Sequence, residues 1–257
     1  MKLDILAIGV HPDDVELSCV GTLLHYIDQG KKVGLLDLTK GELGTRGNAQ
    51  LRTQEAMESA RLMGATVREQ LDLADGFFEI NKESILPIIE VIRRYRPDIV
   101  FANSNSDRHP DHGRSARLED DACFYSGLRK IETIDKLTGQ LWPPCFLWLS
   151  IDKLTGQPQE AWRPKLVLHY IQDYHLVPDF VFDITPYFDR KIELIKTFRS
   201  QFYDPDSAEP DSPISGKDFL EFNAARSRDF GRPANMTFAE GFQVNRLFGV
   251  KDIFDLV

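Results

Sequence analysis

The chain has 257 residues, of which 42% are hydrophobic and 28% are charged, as is ordinary for a soluble globular protein. This length is enough to bury a substantial core, and we predict a single domain over residues 1–257. The net charge of -9 argues against a nucleic-acid partner, because phosphate binding requires a basic surface. The sequence shows neither a signal-peptide pattern nor an apolar run of membrane length, so we expect a cytoplasmic protein that does not bind the membrane.

Strand and helix patterns alternate through the first half of the chain. The predicted elements are a strand at 5–10, a helix from 17 to 30, a strand at 32–38, a helix at 49–63, a strand at 67–73, a helix ending near 96 and a strand at 98–102. This alternation predicts an α/β fold, in which a Rossmann-like, doubly wound and mostly parallel sheet carries helices on both faces.

The second half continues less regularly. It predicts helices at about 115–128, 187–201 and 216–229, strands at 166–171 and 180–184, and a closing segment at 238–242. Between them, the six residues that begin at Asp135 recur at Asp152, which indicates a local duplication. We interpret residues 136–156 as a surface insertion whose aromatic side chains pack on the body of the protein or on a second subunit.

Two clusters of ionisable residues follow two of the predicted strands. His11, Asp13, Asp14 and Glu16 come after the first strand, and a second histidine cluster at 109–112 comes after the strand at 98–102. Such groups are costly at the end of a buried strand unless they are paired or hold a metal. Because parallel strands end at the same edge of a sheet, where ligands bind in open α/β folds, we expect the two clusters to meet there.

His11, Asp14 and His112 form the candidate metal site. Two imidazoles and one carboxylate, with positions left for water, are typical of a catalytic zinc site, although Fe²⁺ and Co²⁺ suit the same ligands. Asp13 is then free to act as a general base toward a metal-bound water. His109, with the Asp111 carboxylate beside it, is a candidate to stabilise an oxyanion or to protonate a leaving amine.

Other residues near these clusters have more than one interpretation. Glu16 either orients His11 or supplies a negative charge to the first turn of a helix, and the sequence favours neither. Arg46 and Arg52 follow the second strand, where each is either a solvated charge or a clamp for a substrate carboxylate. The glycines between residues 41 and 47 match no nucleotide-binding motif.

The two clusters carry a resemblance to a known family. His11-Pro-Asp-Asp-Val-Glu16 and His109-Pro-Asp-His-Gly113 resemble the signature motifs of the PIG-L / LmbE-like zinc deacetylases, which remove the N-acetyl group from N-acetylglucosamine conjugates. The segments at 37–47, 51–52, 200–203 and 239–242 resemble the bacillithiol-biosynthesis branch, which hydrolyses N-acetylglucosaminyl-malate to glucosaminyl-malate and acetate. The similarity extends over nearly the whole chain except about 136–156.

The resemblance implies an LmbE-like fold, a Zn²⁺ cofactor, a small sugar conjugate as substrate and a homo-oligomer. It implies the same roles for the residues of the two clusters, and it implies that Arg52 and Arg163 bind substrate. One departure is Phe219, which stands where some relatives place a tyrosine near the active site. The insertion beside Arg163 is another.

Two alternatives to this hypothesis stay open. The first is a deacetylase for a different sugar conjugate, such as a mycothiol-type precursor or a bacillithiol conjugate. The second is a metal-binding protein without catalysis. The pair of adjacent aspartates disfavours the second alternative, because a storage or structural site has no use for a spare base and tends to close its coordination sphere.

Overall fold

The computed structural model describes residues 1–135, 140–142, 156–202, 204 and 206–256. The strands are β1 (Ile5–Gly9), β2 (Val33–Asp37), β3 (Val67–Gln70), β4 (Ile99–Ala102), β5 (Gln140–Trp142), β6 (Leu166–Tyr170), β7 (Phe180–Asp183) and β8 (Ala239–Gln243). The helices are α1 (Asp14–Ser18), α2 (Val20–Asp28), α3 (Ala49–Met63), α4 (Lys82–Tyr95), α5 (Pro110–Tyr125), α6 (Phe188–Ile195) and α7 (Phe219–Gly231). Within this part of the chain, no helix is long and apolar enough to cross a membrane.

The described strands form one sheet of eight, in the order β5-β3-β2-β1-β4-β6-β8-β7. Strands β3, β2, β1, β4 and β6 are parallel neighbours. Strand β5 lies antiparallel to β3, and β8 lies antiparallel to both β6 and β7. The predicted mostly parallel α/β fold is therefore confirmed.

Strand β1 shows why helices cover both faces of the sheet. Every residue of β1 is buried, and successive side chains of a strand point to opposite faces. Leu6 and Ile8 belong to a core cluster that includes Ile88 of α4. Ile5 and Ala7 belong to a second cluster with α2. A continuous apolar run is thus what a central parallel strand requires.

Helix α5 begins at Pro110, five residues before the predicted start at Ser115. His109 caps this helix, because its Nδ1 accepts a hydrogen bond from the backbone N–H of Asp111. A proline at the first helical position needs no hydrogen-bond partner for its nitrogen. The earlier start places Asp111 and His112 in the first turn, at the edge where the site lies.

Other predicted boundaries also need correction. Helix α1 starts at Asp14 and not at Leu17, and α6 ends at Ile195 and not near Gln201. Strand β5 was not predicted at all. Apart from the backbone of β5, the predicted surface insertion at 136–156, with its repeated segment and its aromatic packing, lies almost entirely outside the described residues.

Candidate active site

Loops from the carboxyl ends of five parallel strands meet at one edge of the sheet. They follow β1, β2, β3, β4 and β6, and they line a cavity of about 290 Å³. Of the predicted site residues, the cavity is lined by His11, Asp13, Asp14, Arg46, Arg52, His109 and His112. The two histidine clusters therefore meet as the parallel topology requires.

The carboxylate of Asp14 lies between the imidazoles of His11 and His112. Its Oδ1 is 3.3 Å from Nε2 of His112, and its Oδ2 is 3.8 Å from Nδ1 of His11. A further carboxylate holds the opposite nitrogen of each ring: Asp107 Oδ2 is 2.7 Å from Nδ1 of His112, and Asp75 Oδ1 is 2.9 Å from Nε2 of His11. Metal-binding histidines usually show this arrangement, in which an outer carboxylate fixes the ring.

The surplus of carboxylates favours a cation at this position. Burial alone would lower the pKa of both imidazoles, but the surrounding carboxylates raise the pKa of His11 to about 9 and that of His112 to about 10. The same imidazoles hold the pKa of Asp14 well below its usual range, although burial opposes this. Within the described residues, two groups have potential ligand atoms that all lie within 4.8 Å of one another, and these are His11, His109 and His112, and His11, Asp75 and Asp111.

Asp13 lies beside this cluster in a strained backbone conformation. Its φ of 134° falls in the region that favours glycine, and such strain persists mainly at functional sites. Its carboxylate is buried, and Oδ2 accepts a hydrogen bond from Arg52 at 3.1 Å. Burial raises the pKa of Asp13 to about 7, although the Arg52 guanidinium lowers it. The residue is thus able to exchange a proton near neutral pH.

His109 is half-buried against both proposed histidine ligands. Its ring centroid is 4.7 Å from that of His11 and 5.3 Å from that of His112. Burial and the charges of these two imidazoles lower the pKa of His109. Because Nδ1 accepts the backbone N–H of Asp111, the neutral ring carries its proton on Nε2.

Contrary to our prediction, the Asp111 carboxylate does not hydrogen-bond to the His109 ring. One carboxylate oxygen of Asp111 accepts a hydrogen bond from the backbone N–H of Gly76 at 2.7 Å, and the other accepts one from the Arg114 guanidinium at 3.0 Å. Its Oδ2 is also 3.7 Å from Nε2 of His11. Asp111 therefore supports His11 and the loop after β3, and among the described contacts its carboxylate makes no hydrogen bond to the His109 ring, although its charge raises the pKa of His109.

Two of the three predicted substrate-binding arginines line the cavity, but their surroundings differ. Arg52 donates to the carbonyls of Gly41 and Pro12 and to Asp13, so its guanidinium is already committed to the protein. Arg46 is only 4% exposed and donates to the carbonyl of Phe202. Among the described residues, no carboxylate lies within ion-pair distance of Arg46. A buried cation of this kind needs an anion.

Arg163 lies away from the cavity. It is exposed at the C-terminal end of α5, where its guanidinium stacks 4.2 Å from the ring of Phe124 and donates to the Phe124 carbonyl. Phe219 is also outside the cavity lining and stacks on Phe202 at 5.5 Å. The structure thus brings neither residue to the site.

Sequence reasoning missed three residues that support the proposed ligands. Asp75 follows β3 in an Asp-Gly pair, a strand-end position like those of the two histidine clusters, and that signal was available. Asp107 stands two residues before His109, inside the second cluster. Gln172, which donates to Asp14 Oδ1 at 2.8 Å, follows β6 with no motif around it.

Neither interpretation of Glu16 describes its main contact. Glu16 lies in the first turn of α1, but it is fully buried and its Oε1 is 2.6 Å from Arg68. Arg68 also forms an ion pair with Asp37 at 2.7 Å, and neither of these side chains is exposed. This triad joins α1 to β2 and β3 beneath the site, while Asp75 and Asp111 face His11 in place of Glu16.

Comparison with known proteins identifies relatives of this chain. The model of the PIG-L family, described as GlcNAc-PI de-N-acetylase, matches residues 6–123, which include both histidine clusters. The crystal structure of the conserved protein TT1542 from Thermus thermophilus is 30% identical. It superposes with a TM-score of 0.77, and the match covers 97% of this chain and 98% of that one.

Two curated relatives have different activities. The diacetylchitobiose deacetylase of Thermococcus kodakarensis is 27% identical over 212 residues, which cover 77% of this chain and 70% of that protein. The 4-oxalmesaconate hydratase of Pseudomonas putida is 24% identical over 210 residues, which cover 76% of this chain and 73% of that protein. Relatives of this chain thus include both a deacetylase and a hydratase.

Proposed function

Because the chain belongs to the PIG-L family of de-N-acetylases, we propose that it removes the N-acetyl group from an N-acetylglucosamine conjugate with an anionic aglycone. The predicted family and the prediction of an enzyme are confirmed by the relatives. Within this class, we propose N-acetylglucosaminyl-malate, the substrate of the bacillithiol branch that the sequence resembles. A homo-oligomer also stays a prediction.

We assign His11, Asp14 and His112 as the residues that would hold a zinc ion. The described donors suit this metal, since two imidazole nitrogens face one carboxylate and Asp75 and Asp107 fix the rings from behind. The group formed by His11, Asp75 and Asp111 is less suitable, because its imidazole nitrogen is already hydrogen-bonded to Asp75. When bound, zinc polarises an amide carbonyl and lowers the pKa of water to about 7. Fe²⁺ and Co²⁺ fit the same ligands.

Asp13 and His109 would move the protons of the reaction. Asp13 lines the cavity with a pKa of about 7, so its carboxylate can take a proton from the attacking water and later return one to the departing amine nitrogen. His109 presents its Nε2–H and would donate a hydrogen bond to the oxyanion that develops on the amide carbonyl oxygen.

Arg46 supports an anionic substrate. This guanidinium is buried in the cavity wall and has no carboxylate partner among the described residues, so a malyl carboxylate would complete its pairing. Local positive charge is needed because the net charge of -9 otherwise repels an anion. The cavity of about 290 Å³ is near the lower limit of ligand pockets, about 300 Å³, and this favours a small conjugate.

The observation that carries the proposal is the position of Asp13 beside the Asp14 carboxylate that both imidazoles face, in one cavity with Arg46. The test is acetate release by the zinc-loaded protein from N-acetylglucosaminyl-malate, diacetylchitobiose and N-acetylglucosamine. We expect the malyl compound to be the best substrate, and we expect Asp13→Ala to keep its zinc while losing about 10²–10⁴-fold in turnover.

The outcomes of this test separate the alternatives. Preference for a neutral sugar would reject the anionic aglycone and favour a different conjugate. Acetate release by Asp13→Ala at the native rate would reject Asp13 as the base. If none of the three compounds releases acetate although the protein holds one metal per chain, these substrates are rejected, and deacetylation itself is rejected if a broader panel of N-acetylated sugar conjugates also releases none. The hydratase relative then supplies the next reaction class to test, since hydration of a carbon–carbon double bond releases no acetate.

A further inference from the structure

We propose that Gln172 is a positioning residue that orients the Asp14 carboxylate and thereby sets the metal affinity of the site. This inference rests on the proposed assignment of Asp14 and His112 as metal ligands. Gln172 lies in the loop that follows β6, 158 residues from Asp14 in sequence, and it belongs to neither histidine cluster.

The orientation of the Gln172 amide follows from its partner. Its Nε2 is 2.8 Å from Asp14 Oδ1, and an ionised carboxylate can only accept hydrogen bonds, so the amide nitrogen must face Asp14. The amide oxygen then has no hydrogen-bond partner among the described residues, although it is fully buried. An unpartnered buried oxygen is unfavourable, and an apolar side chain of the same size would avoid that cost. A role for the Nε2 donor explains why a polar side chain occupies this position.

The contact with Gln172 fixes the rotation of the Asp14 carboxylate. Its other oxygen, Oδ2, accepts the backbone N–H of His11 at 2.9 Å and the Nδ2 of Asn103 at 3.1 Å. Oδ1 accepts the Gln172 donor and faces Nε2 of His112 at 3.3 Å. Donors on both oxygens therefore keep Oδ1 directed at the His112 ring and Oδ2 directed at the His11 ring. Without Gln172, the oxygen that faces His112 loses this donor, and among the described contacts only the two donors on Oδ2 still orient the carboxylate.

The loop that carries Gln172 also reaches the second histidine ligand. The backbone N–H groups of Asp173 and Tyr174 donate to Asp107 Oδ1, at 3.2 Å and 2.9 Å, and the other oxygen of Asp107 holds Nδ1 of His112. Asp173 in turn forms an ion pair with Arg108. One loop thus supports Asp14 through Gln172 and supports His112 through Asp107, so the two ligands are held in a fixed relation.

The test replaces Gln172 by methionine, which keeps the length of the side chain and removes the donor. Gln159→Met is the matched control, because Gln159 also donates through Nε2, to the Glu90 carbonyl at 2.9 Å, and also has a buried unpartnered Oε1, but lies outside the cavity. Each metal-free protein is titrated with Co²⁺, with the visible absorption spectrum and a competing chelator as readouts. We expect Gln172→Met to bind Co²⁺ about 10–100-fold more weakly with a changed spectrum, and we expect the control to match the native protein.

The melting temperature of the metal-free proteins separates positioning from a structural role. We expect Gln172→Met to melt no lower than the native protein, whereas a structural role would lower its melting temperature and leave the Co²⁺ spectrum unchanged. If the methionine variant does not fold, Gln172→Asn replaces it, since its amide is one carbon too short to reach Asp14 and the same weakening is expected.

Co²⁺ affinity within twofold of native together with an unchanged spectrum would overturn the proposal. Because the titration uses no substrate, it is independent of the proposed reaction. Weakened Co²⁺ binding in a protein that releases no acetate from any amide would uphold the role of Gln172 and reject only the deacetylase. Native protein that binds no Co²⁺ would reject the metal site and this inference together.

Discussion

Replacement of Arg52 tests whether this arginine tunes Asp13, the proposed general base, or binds the substrate. The sequence suggested a clamp for substrate carboxylates, but the structure places Arg52 Nη2 3.1 Å from Asp13 Oδ2. Both side chains are buried, so solvent screens this pair weakly. We therefore expect Arg52→Gln to act mainly through the pKa of Asp13.

The expected magnitude follows from the geometry of the pair. Two unit charges 3.1 Å apart at an effective dielectric constant of about 20 interact by roughly 5 kcal/mol, and a single neighbouring charge typically shifts a carboxyl pKa by about 1–3 units. Removing the guanidinium takes away an influence that lowers the pKa of Asp13, so that pKa rises from about 7. At pH 7 the ionised fraction then falls from about one half to between roughly one in ten and one in a thousand.

The assay is the pH dependence of kcat/KM for acetate release. Because the base acts in its ionised form, the acid limb of the profile should move to higher pH by about 1–3 units in Arg52→Gln, with recovery toward the native rate above the new pKa. Arg52→Lys keeps the positive charge and should move the limb less. Arg46→Gln should raise KM for the malyl substrate without moving the limb, because Arg46 has no carboxylate partner among the described residues.

The opposite pattern would refute this reasoning. If Arg52→Gln raises KM equally at every pH and leaves the acid limb in place, Arg52 binds substrate and does not tune Asp13. If the acid limb stays in place in Arg52→Gln but moves in Arg46→Gln, the roles assigned to the two arginines must be exchanged.

Three further predictions concern the support of the site. Arg68→Met should reduce the free energy of unfolding by about 3–5 kcal/mol in urea titrations, because it leaves two buried carboxylates without their cation. As a control, Arg61→Met removes an exposed ion pair and should leave the urea midpoint unchanged. Gly41→Ala should reproduce part of the limb shift of Arg52→Gln, since Gly41 has a φ of +62° and an added Cβ would lie 2.0 Å from Arg52 Nη1; an unchanged pH profile would contradict this. A chelator should abolish acetate release and one equivalent of Zn²⁺ should restore it, as measured with the metal content of the protein, and full activity of metal-free protein would reject the metal site.

The fold could be predicted from the sequence because its signals are local. Strand β1 is an apolar run followed directly by charged residues, and α3 ends at Met63 before a glycine in the left-handed conformation. The parallel topology alone then predicts that the histidine clusters meet, so side-chain contacts need not be known for this prediction. The polar stretch through Asp111 and His112 is typical of a loop and so predicts too late a start for α5, although a proline at position 110 is a signal for the first turn.

The partners of the site residues could not be predicted in the same way, because each partnership depends on side chains that are distant in sequence. Gln172 reaches Asp14 across 158 positions, and Glu16 finds Arg68 across 52. The sequence supplies the chemical types of these groups but not their distances. For this reason the proposed ligands were identified from their motifs, while the carboxylate behind each ring and the amide on Asp14 were not.

Arg46 and Arg52 show how the local backbone determines the contacts that two identical side chains make. Arg52 lies in the first turn of α3 and turns back over Gly41, where the absence of a Cβ leaves room for the guanidinium to reach Asp13. Arg46 lies in the loop before that helix, and among the described residues its guanidinium hydrogen-bonds only to the carbonyl of Phe202. Backbone geometry therefore pairs one arginine with Asp13 and leaves the other without a carboxylate partner among the described residues. Under the proposed function both would be needed, since the first would set the proton affinity of the base and the second would offset the repulsion between an acidic protein and an anionic substrate.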